Sequence, residues 1–158
     1  MADQRRVAIS WGLVGVQAFL FLCVLAGALA TGIGPRLPAS LLAGNLTVVV
    51  GLVVLVWAAR NLGSALTPLP LPNGAGLAAN GAYRWMRHPI YTGVMLACLG
   101  AAIGAGTVLA YAATVAVMAF FEAKTRLEER WLLGAYDGYA EYAARTGTFV
   151  PGIARRRA

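Results

Sequence analysis

Residues 90–121 read IYTGVMLACLGAAIGAGTVLAYAATVAVMAFF, a run without one charged side chain, and the number of times it crosses a membrane decides the fold. As one helix it would be about 48 Å long at about 1.5 Å per residue, too long for a hydrocarbon core of about 30 Å even when tilted. As two helices it is slightly short, yet Gly100-Ala101-Ala102-Ile103-Gly104-Ala105-Gly106 offers a place to turn, and both halves can extend into polar flanks. Two further apolar runs precede it, at about 7–30 and 39–59, separated by a turn at Gly32-Ile33-Gly34-Pro35-Arg36-Leu37-Pro38. The basic residues arbitrate. A hairpin places the N-terminus, the segment 60–89 and the segment 122–158 on one side, which gathers twelve of the thirteen Lys and Arg there and leaves Arg36 alone outside. Positive charge collects on the cytoplasmic side. The expected fold is therefore all-α integral membrane, one domain over 1–158, with four transmembrane helices at about 7–30, 39–59, 90–105 and 106–121 and both termini cytoplasmic.

Composition agrees. The chain is 59% hydrophobic and 12% charged, about half the charge that a hydrated soluble surface carries. Its net charge of +7 follows the loops rather than a basic face, so nucleic acid is not an expected partner; membrane lipids are. Arg5 and Arg6 before an apolar stretch resemble a signal peptide, but the uncharged run to Thr31 is as long as a full span and reads as retained. Cys23 and Cys98 lie inside apolar runs and read as small packing residues. With His88 the single histidine, no metal site built from protein ligands is expected. No Asp, Glu, Lys or Arg falls inside a span, which counts against a proton-coupled transporter. Gly100 and Gly104 permit close approach of helices.

Polar residues concentrate in the two cytoplasmic segments. The first places Pro68, Pro70 and Pro72 at alternate positions, which is extended chain, then turns at Asn73-Gly74-Ala75-Gly76 and Asn80-Gly81. The second continues the last span as an amphipathic helix on which Ala123, Leu127 and Trp131 share one face with Glu128 and Glu129 adjoining, until Asp137-Gly138 breaks it. A short aromatic helix then carries Tyr139 and Tyr142. Taken by themselves, the residues from Tyr83 to Gly93 also suit an interfacial belt of aromatics and lipid-binding arginines, and the glutamate pair suits ordinary surface charge.

Together they suit one family. The string Gly81-x-Tyr83-x-x-x-Arg87-His88-Pro89-x-Tyr91-x-Gly93, a short hairpin, Glu128-Glu129, the paired tyrosines and Pro151 resemble the isoprenylcysteine carboxyl methyltransferases and their relatives, the phospholipid N-methyltransferases and small bacterial proteins of this pattern. The match is strong from Leu77 to Gly93 and from Glu128 to Pro151. The resemblance implies methyl transfer from S-adenosyl-L-methionine to a lipophilic or amphipathic acceptor that arrives from the bilayer, at a site formed by the linker and the C-terminal helices. It implies cofactor binding by Leu77, Tyr83, Arg87, His88, Pro89, Tyr91, Gly93, Glu128 and Glu129, with Arg87, Glu129 and Arg145 in catalytic roles. Arg87 and His88 suit the cofactor's carboxylate, the glutamates its ammonium or ribose hydroxyls, and Arg145 an anionic acceptor. No metal is implied, and a bacterial inner membrane is the expected location.

The pattern departs from the family at Ala75, where members acting on prenylated cysteine tend to have histidine, and at Tyr136-Asp137, where Phe-Gly is usual. These departures leave the acceptor open among carboxylate, amine, phenol and thiol. Two other readings compete: a non-enzymatic four-span protein or transporter, which leaves the Arg-His-Pro and Glu-Glu elements without a role, and an isoprenoid or sterol reductase, which a chain of 158 residues is short to hold.

Overall fold

Apolar length and turn chemistry set the helix ends. The computed structural model describes residues 2–30, 35, 37–63, 66–67, 69, 71–72 and 76–154. The chain forms α1 (Ala2–Leu29), α2 (Leu41–Leu62), α3 (Pro89–Ala105), α4 (Val108–Ala135) and α5 (Tyr139–Arg145), with a 3₁₀ turn at Gly81–Arg84. Ser40 caps α2 by accepting from the Ala43 amide. The expected hairpin turns at Gly106, in the left-handed region at φ 67°, and Thr107 caps α4 through its hydroxyl. Tyr136 ends α4, and Gly138 at φ 80° starts the next helix, as Asp137-Gly138 foretold. Most of the Gly32–Pro38 turn, two of the alternate prolines (Pro68 and Pro70) and Asn73-Gly74-Ala75 lie outside the described residues.

Three helices, Gln4–Leu29, Leu41–Leu62 and Val108–Ala135, are long and apolar enough to cross a membrane, and α3 is a shorter apolar helix of 17 residues. Large apolar side chains point outward along the first two, among them Phe19, Leu22, Leu42 and Val53. This is the surface of a multi-pass integral membrane protein.

Close backbone contact joins the helices. A Cβ added at Gly51 would lie 2.6 Å from the Gly93 carbonyl oxygen, and one at Gly100 would lie 2.6 Å from that of Gly44. Glycines seven residues apart on each helix therefore form an antiparallel seam between α2 and α3, where backbones approach as no larger residue allows. The α3–α4 pair is also antiparallel, pinned where the Thr114 hydroxyl donates to the Cys98 carbonyl at 3.2 Å. Phe21 meets Phe121, and Arg6 lies 6.0 Å from the Trp131 ring, so α1 runs antiparallel to α4.

The result is a bundle with two unlike ends. One end joins its turns by backbone bonds from Leu37 to Gly106 and from Ser40 to Ile103. The other gathers Arg6, Asn61, the linker before α3, the second half of α4, and α5. The face of α4 differs from expectation here. Lys124, Thr125 and Glu129 are buried, while Ala123 is exposed and Leu127 and Trp131 are half-buried. The polar stripe turns inward because it borders a cavity, and Trp131 is taken by Arg6.

Candidate functional site

The linker is tied down before it reaches its charged residues. Gly81 has φ 58°, and the Asn61 side chain accepts from the Ala82 amide at 2.8 Å. The turn buries Ala82 and Tyr83, and Tyr142 donates its hydroxyl to the Tyr83 carbonyl at 2.6 Å. Residues 86–88 then run beside 147–148: Met86 bridges Gly147, the Arg87 amide donates to Gly147 and the His88 amide to Thr148. Pro89 follows at the first turn of α3, where a missing N–H costs nothing.

Arg87 and Glu129 form the centre of this frame. Arg87 Nε donates to Glu129 Oε1 at 2.6 Å, with both side chains almost wholly buried. One terminal nitrogen donates to the carbonyls of Ala143 and Thr146, and the other to the Thr148 hydroxyl and the Ala154 carbonyl. A guanidinium has five N–H groups, so all of them meet acceptors within the chain. The resemblance implied Arg87 as a ligand for the cofactor's carboxylate; the geometry gives it the role of a brace that fixes the C-terminal segment.

His88 lies between the two carboxylates, with Nε2 3.3 Å from Glu129 Oε1 and Nδ1 3.9 Å from Glu128 Oε2. Its ring stacks on Tyr91 at 5.4 Å, and the Tyr91 hydroxyl donates to Glu128 Oε2 at 2.8 Å. Burial pushes the Glu129 carboxyl up, but the bonds and charges of His88 and Arg87 outweigh it and hold the group at about 2. Burial raises the hydroxyls of Tyr83, Tyr139 and Tyr142 above their ordinary range, and the Glu128 charge adds to this at Tyr83. These phenols stay neutral.

Beside the frame lies a cavity of about 470 Å³. Of the expected residues, Leu77, Tyr83, Arg87, His88, Tyr91 and Glu128 line it. Pro89, Gly93 and Glu129 do not; they are buried behind it, Gly93 against α2 and Glu129 against Arg87. Arg145 is exposed at the end of α5 and is not brought to the cavity.

The sequence reading missed several parts of this wall. Leu66, Leu69 and Leu71 add an apolar side from the linker, and Tyr136 and Tyr139 an aromatic one. Among the described residues the Tyr139 hydroxyl has no hydrogen-bond partner. Gln17 and Lys124 also reach the cavity, joined by a bond of 2.7 Å from Lys124 Nζ to Gln17 Oε1. Lys124, Glu128 and Leu132 are spaced four apart on α4, Tyr136 follows at its C-cap, and all four line it, so the wall follows the helix for about 18 Å. That spacing, with one amide inside an apolar span, was the available signal.

The comparisons bear on this arrangement. The family model of phospholipid methyltransferases matches residues 39–138. The cobalt-zinc-cadmium resistance protein CzcN of Cupriavidus metallidurans is 37% identical over 84 residues, which are 51% of this chain and 38% of that protein. The solved structure of a eukaryotic intramembrane Ras methyltransferase, the isoprenylcysteine carboxyl methyltransferase, is similar over 99% of this chain and 54% of that one, with a TM-score of 0.63 and 24% identity. The likeness to it is one of fold. This chain matches about half or less of the length of either protein.

Proposed function

The chain belongs to the phospholipid methyltransferase family, and from that premise we propose that it transfers a methyl group from S-adenosylmethionine to a lipophilic acceptor at the cytoplasmic face of a bacterial inner membrane. The observation that carries this reading is the cavity itself. It is largely apolar and aromatic, it adjoins the membrane-spanning helices, and it has the Glu128 carboxylate on its wall.

The residues present suit the cofactor. It carries an ammonium and a sulfonium, which a half-buried carboxylate attracts, and a flat adenine, which rings enclose. Glu128, steadied by Tyr91, would take the ammonium or the ribose hydroxyls. Leu77, Leu132 and the tyrosines 83, 136, 139 and 142 would enclose the adenine, and the Tyr139 hydroxyl, without a partner among the described residues, is a polar atom available to it. When bound, the cofactor supplies a methyl group activated by positive sulfur. The protein's task is then alignment and exclusion of water. Arg87 and His88 on the wall and Glu129 behind it perform it by joining the linker to the C-terminal segment, and Pro89 and Gly93 by fixing the entry to α3.

The same reading gives one domain with four crossings, at about 7–30, 39–59, 90–105 and 106–121, and both polar segments on the cytoplasmic side. Support comes from the bundle's unlike ends: the charged segments share one end, and the short turns share the other. In this orientation Glu128 and Glu129 lie beyond the crossing part of α4.

Calorimetry of the purified protein with S-adenosylhomocysteine tests the proposal without knowledge of the acceptor. Saturable binding at a one-to-one ratio is expected. No binding by a folded preparation at about millimolar ligand would overturn it.

A further inference from the structure

Two cationic side chains line the described cavity, and they are not equivalent. Arg87 has its five N–H groups on acceptors of the chain. Lys124 is 3% exposed and donates one hydrogen bond, to Gln17. Its ammonium otherwise faces aromatic rings, with Tyr91 at 5.1 Å, Phe121 at 5.8 Å and Phe120 at 6.0 Å, and the Glu128 carboxylate one turn on acts on it through its charge. A buried cation is costly unless it is matched, and rings, one amide and the charge of a carboxylate a turn away match it incompletely.

Its place along the cavity gives it meaning. The stripe on α4 begins at Lys124, passes Glu128 one turn on, and ends among the tyrosines. Cation, carboxylate and aromatic wall thus follow in order over about 18 Å. The carboxylate and the rings suit the cofactor. The cationic end lies toward Gln17, inside the first apolar span, and toward Phe120 and Phe121 at the end of the last. This is the end nearest the alkyl chains.

We infer that Lys124, oriented by Gln17, is the binding site for the head of the methyl acceptor, and that this head is an anion, a carboxylate or another oxyanion or thiolate, on an apolar tail. The inference rests on the reading of the Glu128 end as the cofactor's. An anionic nucleophile completes the match that Lys124 lacks. It also simplifies the transfer: the acceptor's lone pair forms the bond to carbon, the pair of the broken carbon–sulfur bond stays on sulfur, and no proton leaves. An amine head would enter against a fixed cation and gain positive charge beside it. Arg145, which the sequence suggested for this role, is outside the cavity; Lys124 is within it.

The test uses the full chain in a nonionic detergent and three probes of equal chain length: a dodecanoate, its methyl ester and dodecylamine. Calorimetry measures each probe without cofactor, and S-adenosylhomocysteine separately, for the wild type, Lys124→Met and Lys124→Arg. The wild type is expected to bind the carboxylate at least tenfold more tightly than the ester or the amine. Lys124→Met should bring carboxylate and ester level and leave S-adenosylhomocysteine affinity within about twofold, whereas Lys124→Arg should keep the preference. A wild type that does not prefer the carboxylate overturns the inference, and this result needs no variant to fold. So does a Lys124→Met protein that keeps the preference, or one that loses S-adenosylhomocysteine binding, since Lys124 would then serve the cofactor. A wild type that prefers the carboxylate yet binds no S-adenosylhomocysteine would overturn the methyltransferase reading and leave the anion site standing.

Discussion

Replacing Arg87 by methionine separates a brace from a ligand contact. The side chain is nearly the same length, but the buried Glu129 loses the guanidinium that balances it beside His88, the Thr148 hydroxyl and the carbonyls of Ala143 and Thr146 lose a donor, and the Ala154 carbonyl keeps its bond from Thr148. Removing one member of a buried pair costs about 3–5 kcal/mol. For a domain of this size that lowers the melting temperature by roughly 6–20 °C. Intrinsic tryptophan fluorescence in detergent reads the melt, and limited proteolysis reads release of residues 146–154. S-adenosylhomocysteine binding is then measured at a temperature where the variant is folded. The brace predicts a large loss of stability, early cleavage near the C-terminus, and partial recovery when Glu129→Leu is added, because the double variant no longer buries that carboxylate without its guanidinium. A direct contact predicts unchanged melting and about tenfold or more weaker binding. That second result would refute the assignment of Arg87 to the frame.

Three further outcomes follow from the same geometry. Glu128→Gln keeps an acceptor for Tyr91 but loses the charge on the cavity wall, so it should weaken S-adenosylhomocysteine by about 1.5–3 kcal/mol, tenfold or more, with little change in melting; calorimetry beside a melt decides it. Glu129, held at about 2 in the fold against an ordinary 4.5, binds its proton more readily when unfolded. Its stabilisation is full above about 4.5 and is lost as pH falls toward 2, so a melting series should show a slope in that window that Glu129→Gln flattens; parallel slopes would exclude the residue as its source. At the seam, Gly51→Leu meets backbone atoms at 2.6 and 2.7 Å whereas Gly12→Leu meets nothing within 4 Å. The first should cost at least about 1–3 kcal/mol and the second almost nothing, by thermal melts.

How much of this was legible follows from which signals are local. Apolar length, charge at the ends of apolar runs, and breaks such as Asn80-Gly81 and Asp137-Gly138 act within a few residues, so the helices and the hairpin could be read directly. The Arg-His-Pro string and the glutamate pair could be read as a group, since their company is distinctive, but their roles could not. The carbonyls of Ala143, Thr146 and Ala154 that saturate Arg87 look like any others in a sequence, and only the fold places them around one guanidinium. The two glutamates lie about 100° apart on α4, which is enough to put Glu128 on the cavity wall and Glu129 behind it. Lys124 was the hardest. It sits in a run of alternating charge that reads as a solvated face, and its partner Gln17 is 107 residues away. The rule that apolar residues mark the buried side then selects Ala123, Leu127 and Trp131, one position out of register. It fails because the space inside this end of the bundle is a cavity with polar work to do, while on the other face Ala123 is exposed and Trp131 meets Arg6 of α1. Where a helix leaves the membrane to line a site, inward polarity is the signal, and the spacing of four from Lys124 through Glu128 to Tyr136 is how the sequence carried it.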